Sequence, residues 1–250
     1  MFIQTLNNLF ARDNCLKIYT VKINTQIEKH IFDELLSFLS SEQQKKILRF
    51  KRYEDALRGL TSNILLRFII ATSLNKKNDS IYIYNNEYGK PYIREVDNFN
   101  FNLSHSGDWV VCAVNNVTIG IDIEKIHDVD LNLSARFFSE EEHSYLVSLE
   151  NTKRREAFFD FWTLKESYIK ADGRGLSIPL NSFSFKIEGD YISFTTTNEL
   201  KDCYFKQYYI DKEYKMSVCS LKPDFPEKPI DIEFYDLYNM AKVYLGIMKK

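Results

Sequence analysis

The chain has 250 residues, of which 44% are hydrophobic and 15% aromatic, enough to fill the core of one large domain or two small ones. This composition excludes an intrinsically disordered protein. The 33 basic and 35 acidic residues leave a formal net charge of −2, so no overall positive field favours nucleic acid, and we expect no nucleic-acid partner.

The cysteines and the first residues of the chain bear on its compartment. The four cysteines are far apart in sequence and form no CxxC or cysteine–histidine pattern, so we expect reduced thiols rather than a zinc site or disulfides. The opening MFIQTLNNLFARDN lacks the basic start and unbroken apolar run of a signal peptide. No apolar run approaches the roughly 20 residues of a membrane helix. We therefore expect a cytoplasmic protein with no membrane partner.

The first half of the chain begins with a strand and continues with helices. CLKIYTVKI, residues 15–23, alternates apolar and polar side chains and predicts a strand. Helical patterns follow at about 25–38, from Ser41 through the basic stretch KKILRFKR, and at about 53–73. The apolar face of the third helix carries Leu57, Leu60, Ile64 and Phe68. Strands are predicted within 80–93 and 99–114, with turns marked by Asn85-Asn86 and Gly89-Lys90-Pro91.

The second half repeats this order of elements. A strand at 118–126 precedes helices at 139–149 and about 153–172, and strands follow at 182–187, 191–196 and 203–210. Ser139 and Glu142 predict a capping box at the start of the first of these helices. Residues 222–229 are typical of a linker, and 232–248 predict a terminal helix. We expect an α+β protein of two similar units, 1–117 and 118–225, followed by a tail helix in 226–250.

The stretch IGIDIE, residues 119–124, places two acids in an apolar strand. Asp122 and Glu124 share one face with Gly120, whose missing side chain leaves room for something to approach the backbone. Two carboxylates at i and i+2 can face one hard cation, and Mg²⁺ prefers one or two carboxylates together with substrate phosphates. The alternative is a half-buried strand with solvated acids.

A third acid lies in FFDFWTLKESYIKADGRGL. Helical spacing places Phe158, Trp162, Glu166 and Lys170 on one stripe, so the charged pair continues an aromatic face that points inward. The alternative is an ordinary surface pair of glutamate and lysine.

Further polar residues suit a phosphorylated ligand. His105 stands between Ser104 and Ser106 near the end of a strand, where imidazole and hydroxyl groups could donate to a phosphate. Lys90 follows Gly89 in a tight turn, where a flat ring could approach the backbone. Each of these also has a purely structural interpretation, and the basic residues between 45 and 52 are typical of a solvated helix face. Acids, histidine and lysines together fit a metal-bridged diphosphate, whereas the chain has no GxSxG, P-loop or GxGxxG motif.

The stretches FNLSHSGDWVVCAV, IGIDIEKI, RFFSEEE and FWTLKESYIKADGRGLSIPL resemble the 4'-phosphopantetheinyl transferases of the surfactin-synthetase-activating, Sfp-like type. The resemblance implies transfer of the phosphopantetheine arm of coenzyme A to a serine hydroxyl of acyl or peptidyl carrier domains, as in nonribosomal peptide and polyketide synthesis, with release of 3',5'-adenosine bisphosphate. It also implies a monomer built as a pseudo-dimer of two α+β halves, with coenzyme A in the cleft between them.

The resemblance further implies residue roles. Mg²⁺ would be held by Asp122, Glu124 and Glu166. Glu166, directly or through a metal-bound water, is the candidate base, and Lys170, which would also meet the α-phosphate, would either donate a proton to the leaving group or stabilise its negative charge. The other coenzyme A contacts would come from Lys46, Tyr88, Gly89, Lys90, Ser104 and His105. Two positions depart from the family pattern, since Gln43 replaces a frequent phosphate-binding lysine and Gly59 a frequent hydroxyl residue.

Three alternatives remain open. The chain could be a coenzyme A binder without activity, a Mg²⁺-dependent phosphohydrolase with water as acceptor, or a dedicated fatty-acid carrier synthase, although those are about half this length. Carrier domains are often acidic, and Lys153, Arg154 and Arg155 would suit such a partner. The served pathway is not apparent from these residues.

Overall fold

The computed structural model describes residues 15–23, 26–94 and 96–246, and it has the expected α+β architecture. The helices are α1 Lys29–Ser37, α2 Ser41–Ile47, α3 Tyr53–Leu74, α4 Leu133–Phe137, α5 Glu140–Ser148, α6 Asn151–Asp172 and α7 Phe234–Tyr244. The strands are β1 Lys17–Lys22, β2 Tyr84–Asn85, β3 Pro91–Tyr92, β4 Asn100–Ser106, β5 Trp109–Asn115, β6 Ile119–Lys125, β7 Phe183–Glu188, β8 Tyr191–Thr196, β9 Tyr204–Tyr208, β10 Tyr214–Ser220 and β11 Ile230–Glu233.

A four-stranded sheet with the order β11-β1-β5-β4 organises the first half of the chain. Helix α3 packs across β5 and β4, and the apolar stripe predicted for it is fully buried: Leu57, Leu60, Ile64 and Phe68. Tyr53–Leu74 also agrees closely with the predicted bounds of this helix. The first core therefore lies between this sheet and α3.

A three-stranded antiparallel sheet with the order β6-β10-β9 organises the second half, with α6 packed on β6 and β10. The hairpin β7–β8 contributes aromatic residues to the same core. The sequence analysis missed β10, although Tyr214, Met216 and Val218 alternate with Lys215 and Ser217 in the pattern of a strand. Ser139 accepts from the backbone of Glu142, and the carboxylate of Glu142 accepts in return, which confirms the predicted capping box.

Strands β4 and β6 lie side by side where the two sheets meet, and side chains join them. Three backbone N–H groups of β6 donate to polar side chains of β4: Ile121 to Asn102 (2.9 Å), Ile123 to Ser104 (3.3 Å) and Lys125 to Ser106 (3.0 Å). Buried backbone donors need partners, and these side chains supply them where no β-ladder joins the two strands. Because every second side chain of β4 points the same way, Ser104 and Ser106 both face β6, the strand that carries Asp122 and Glu124.

The prediction of a helix over 232–248 was wrong at its start. Residues 230–233 form β11, which pairs in parallel with β1, and the hydroxyl of Thr20 on β1 donates to Asp231. Helix α7 begins at Phe234 and packs on α3, so this segment completes the first core. Met248, like Thr25 at the start of the predicted first helix, lies outside the described residues.

The four cysteines are free thiols, and two of them, Cys112 and Cys219, are buried. Across the described parts of the chain, no helix is long and apolar enough to cross a membrane.

A candidate active site where the two sheets meet

Asp122 is the most buried of the candidate acids, with 2% of its surface exposed. Its Oδ1 accepts from the ammonium of Lys170 at 2.5 Å and from the hydroxyl of Ser104 at 2.8 Å. Its Oδ2 is buried and has no hydrogen-bond partner among the residues that the structure describes. A buried carboxylate oxygen without a donor is costly, so this atom is suited to a ligand that brings positive charge.

Glu124 and Glu166 stand near Asp122. Glu124 follows it by two positions on β6, and its Oε2 accepts from Ser106 at 2.8 Å. Glu166 lies on α6, where burial and the negative charges of Asp122 and Glu124 together raise its pKa to about 7, against the opposing charge of Lys170. Burial likewise raises the pKa of Asp122 and of Glu124. Each acid therefore lies within the field of the others.

Gly120 explains how α6 comes so close to the acidic strand. A Cβ added at Gly120 would lie 2.0 Å from the carbonyl oxygen of Ser167 and 2.5 Å from the backbone nitrogen of Ala171. Thus something does approach the backbone at Gly120, as expected, and it is helix α6 itself. The contact brings Glu166 and Lys170 to the strand that carries Asp122.

The aromatic stripe of α6 points inward as predicted. Phe158 is buried and stacks on the half-buried Trp162, with ring centroids 5.8 Å apart. Two steps further along the stripe, Lys170 reaches Asp122 and also donates to Ser104 at 3.0 Å. The pair of glutamate and lysine is therefore part of an interior site and not a solvated surface pair.

Lys165, which precedes Glu166, has a different role that the sequence analysis did not foresee. Its ammonium lies 2.8 Å from Glu142 on α5, and both side chains are completely buried. It also donates to the carbonyl groups of Leu180 and Phe183. This lysine joins α5, α6 and the start of β7 inside the second core.

His105 is exposed near the end of β4. Partial desolvation, together with the positive charges of Arg58 and Lys170, lowers the pKa of its imidazole, so the ring is neutral at pH 7 and can both donate and accept. Arg58 donates to the carbonyl of Gly107 at 2.7 Å and pairs with Asp55. The sequence analysis missed Arg58, because an i, i+3 pair on a helix resembles an ordinary surface ion pair.

The turn between β2 and β3 meets the end of α6. The ammonium of Lys90 donates to the carbonyl of Ala171 at 2.8 Å and lies 3.4 Å from that of Ile119, and burial lowers its pKa to about 8. Tyr88 is half exposed, and Gly89, with φ +90°, has open space where a side chain would stand. The backbone at Gly89 is therefore open on this side, while the ammonium of Lys90 is directed at protein carbonyls.

The basic helix α2 contributes one of the candidate residues. Lys46 is exposed and pairs with Glu42 at 2.8 Å, one turn earlier. Gln43, at the position where the family often has a lysine, forms a capping box with Ser40, and its side chain bonds to Asn63 and Arg67 of α3. The glutamine therefore links α2 to α3.

Gly59 is closely packed under α2 and the residues after it. A Cβ there would lie 2.9 Å from Cδ1 of Ile47 and 3.1 Å from the ring of Phe50. A hydroxyl residue at this position would have to displace both side chains.

A cavity of about 490 Å³ opens beside Lys90 at the end of α6. Its walls are formed by Lys90, Thr118, Ala171, Asp172, Arg174, Glu199 and Leu200. The three candidate acids are not among these residues, so the cavity adjoins the acidic cluster and does not contain it.

The acidic cluster offers oxygen ligands of the kind that a divalent cation takes. Within the described ranges, no group of three histidine, cysteine, aspartate or glutamate side chains is close enough to hold a metal as it stands. In this arrangement the ammonium of Lys170 neutralises Oδ1 of Asp122. The partnerless Oδ2 of Asp122 and the mutual repulsion of three carboxylates nevertheless fit a hard cation, which takes oxygen ligands.

A fold that sets carboxylates from a strand and a helix beside a lysine, a histidine and serines is typical of an enzyme that acts on a phosphorylated substrate. Two family models match successive parts of the chain: "4'-phosphopantetheinyl transferase, N-terminal" over residues 26–117 and "4'-phosphopantetheinyl transferase superfamily" over residues 118–219. The chain belongs to the 4'-phosphopantetheinyl transferases, and the resemblance seen in its motifs is confirmed. It is thus an enzyme that transfers phosphopantetheine from coenzyme A to carrier proteins.

Individual relatives are similar in sequence to this chain over most of its length. It is 38% identical over 223 residues to the 4'-phosphopantetheinyl transferase Sfp of Bacillus subtilis (strain 168), covering 89% of this chain and 100% of that protein. It is 37% identical over 206 residues to the 4'-phosphopantetheinyl transferase gsp of Aneurinibacillus migulanus, covering 82% and 86%. A solved holo-(acyl-carrier-protein) synthase from Bacillus anthracis str. Ames, in complex with CoA (3',5'-ADP), matches 41% of this chain and 93% of its own, with 21% identity and a TM-score of 0.34.

Proposed function

We propose that Asp122, Glu124 and Glu166 hold one Mg²⁺ against the diphosphate of coenzyme A while a carrier serine attacks. The observation that carries this proposal is the buried Oδ2 of Asp122, which has no hydrogen-bond partner in the part of the chain that the structure describes, while Glu124 and Glu166 stand near it. When bound, Mg²⁺ would neutralise phosphate charge and so favour attack at phosphorus.

The chemistry at phosphorus follows from the residues around it. A bond forms between the serine oxygen and the phosphorus next to pantetheine, and the bond from that phosphorus to the bridging oxygen breaks. The leaving group is 3',5'-adenosine bisphosphate. Lys170, whose ammonium is directed into the cluster by Ser104 and Asp122, stabilises the negative charge that develops on the departing phosphate.

The serine hydroxyl must lose its proton during the attack. Glu166 is half-buried on α6 and belongs to the acidic cluster, so we assign it the role of the base that accepts this proton. The neutral imidazole of His105 would bind the 3'-phosphate region, and Lys46 would reach the same phosphate after leaving Glu42. Ser104, expected to bind there too, is buried with its hydroxyl bonded to Asp122, so it would instead help to align Lys170. The backbone at Tyr88 and Gly89 would meet the adenine, with Lys90 beside it.

The architecture fits this assignment. We infer two α+β halves related as a pseudo-dimer, because each consists of an antiparallel pairing of strands packed against one helix of 22 residues, α3 or α6. The proposed boundaries remain 1–117, 118–225 and 226–250, although β11 and α7 pack with the first half. We also propose that the protein is a monomer and that it is cytoplasmic. The free thiols support the proposed compartment.

Basic residues near the start of α6 form the proposed carrier surface. Of the three basic residues considered for docking, Arg154 donates to the last carbonyl groups of α5, and Arg155 pairs with Asp128. Lys153 is therefore the residue of this group that we expect to meet an acidic carrier.

The test is incubation of the protein with an apo carrier domain, coenzyme A and Mg²⁺, followed by mass spectrometry of the carrier. Transfer adds one phosphopantetheine arm to the carrier, and a chelator abolishes the gain. Free phosphopantetheine without a modified carrier would instead indicate hydrolysis, and binding of coenzyme A without any product would indicate an inactive binder.

A further inference from the structure

Asn86 organises the turn between β2 and β3 with a single side-chain oxygen. Its Oδ1 accepts from the backbone N–H of Tyr88 at 3.0 Å and from that of Lys90 at 2.8 Å. The backbone N–H of Asn86 donates to the carbonyl of Lys90 at 2.9 Å, which closes the turn. Such asparagine-centred turns fix the backbone that follows the asparagine. In this chain that backbone is Tyr88–Gly89, the part of the turn with open space above it.

The other end of the same amide is bound to the catalytic helix. Nδ2 of Asn86 donates to the carbonyl of Gly173 at 2.9 Å. Gly173 ends α6 in a left-handed conformation, with φ +92°, and the last carbonyl groups of a helix lack partners within the helix. A Cβ at Gly173 would lie 3.1 Å from Cδ of Lys90 and 3.4 Å from Nδ2 of Asn86, so the turn and the helix end are in close contact.

This amide therefore connects two parts of the site that come from different halves of the chain. The turn belongs to residues before β4, whereas α6 carries Glu166 and Lys170. Lys90 makes a parallel connection to Ala171, the residue after Lys170. A shift of the turn relative to α6 would change the distance between the surface proposed for adenine and the residues proposed for the diphosphate.

We propose that Asn86 is a positioning residue for coenzyme A. It holds the 88–89 backbone in its binding shape and keeps that backbone in register with Glu166 and Lys170 at the end of α6. The inference rests on the proposed function, because it takes the turn to meet the nucleotide end of the substrate.

Asn86→Asp is the sharpest variant, since it keeps the accepting oxygen and the size of the side chain but replaces the N–H donor by an oxygen facing the carbonyl of Gly173. Asn85→Asp is the matched control, with the same change in charge one residue earlier at an exposed position. Gly173→Ala perturbs the same contact from the helix side, because an alanine is strained at φ +92°.

We expect Asn86→Asp and Gly173→Ala to raise the KM for coenzyme A and its calorimetric Kd about tenfold, the effect of losing one partly buried hydrogen bond. The KM for the carrier and the kcat at saturating coenzyme A should change less than threefold, and Asn85→Asp should match the wild type. A merely structural asparagine would lower stability without this selective effect.

Two results would overturn the inference. One is an unchanged Kd for coenzyme A in both variants, and the other is a tenfold change that Asn85→Asp reproduces. If the wild type transfers no arm to any carrier, the proposed function fails, and the calorimetric titration with coenzyme A still decides whether Asn86 positions its binding surface.

Discussion

The ammonium of Lys170 lies 2.5 Å from Oδ1 of Asp122, while the other oxygen of the same carboxylate is buried without a described partner. The two oxygens therefore differ in what they can do. Oδ1 aligns the lysine together with Ser104, and Oδ2 is left for a cation. A single aspartate thus joins the group that stabilises the leaving phosphate to the proposed metal site.

Gly120→Ala should destabilise the protein by about 3 kcal/mol or more, because its Cβ would meet the backbone of Ser167 and Ala171, which cannot move without shifting α6. Gly59→Ala is the control, since its Cβ would meet the ends of two side chains, Ile47 and the exposed Phe50, rather than backbone, and alanine also favours the helix. We expect the control to lie within about 1 kcal/mol of the wild type. Urea unfolding measures both, and equal effects would refute the backbone contact at Gly120.

Lys165→Met should cost about 3–5 kcal/mol of unfolding free energy, because it leaves Glu142 buried without its cation. The double variant Lys165→Met with Glu142→Gln should be more stable than the single variant, since the unpaired charge is gone. Denaturant unfolding of the two variants tests this. A double variant as unstable as the sum of the single changes would show that the pair does not interact in the core.

Lys90 should make the stability of the ligand-free protein depend on alkaline pH. Its pKa in the folded state is about 8, below the ordinary 10.5, so between these values the unfolded chain holds more protons and the free energy of unfolding rises with pH. The rise should approach about 1.4 kcal/mol per pH unit within this window. The free energy of unfolding of Lys90→Met, measured over the same pH range, is subtracted from that of the wild type to remove the contributions of the other titrating groups. A difference that stays flat from pH 7 to 10 would contradict the lowered pKa.

Much of the site could be predicted from residue spacing. Alternation along β6 placed Asp122 and Glu124 on one face, and the helical stripe placed Lys170 with Glu166, because each pattern repeats with the period of its element. Helix α3 was predicted within one residue of its bounds, since its long apolar pattern leaves little ambiguity.

Other features depend on contacts between distant segments and have no local pattern. Pairing of β11 with β1 joins residues some two hundred positions apart, and two short alternating segments do not reveal a partner. The partner of Gly120 is the backbone of α6, which carries no sequence signature. Asn86 marked a turn correctly, but its bond to Gly173 depends on how the two halves pack.

Asp122→Asn tests the metal assignment while preserving much of the interior. The amide keeps an oxygen for Ser104 but loses the charge that a cation and Lys170 both need. We expect transfer to fall at least a hundredfold, as judged by the modified fraction of carrier in mass spectra, with a loss of stability below about 3 kcal/mol. Transfer near the wild-type rate would remove Asp122 from the mechanism.

The most direct measurement is calorimetric titration of coenzyme A into the wild type, Asp122→Asn and Glu166→Gln, each with Mg²⁺ and with a chelator. If carboxylates from β6 and α6 hold Mg²⁺ against the diphosphate, the wild type binds coenzyme A at least tenfold more tightly with Mg²⁺, and both variants lose most of that difference. The same dependence on Mg²⁺ in all three proteins would contradict the account.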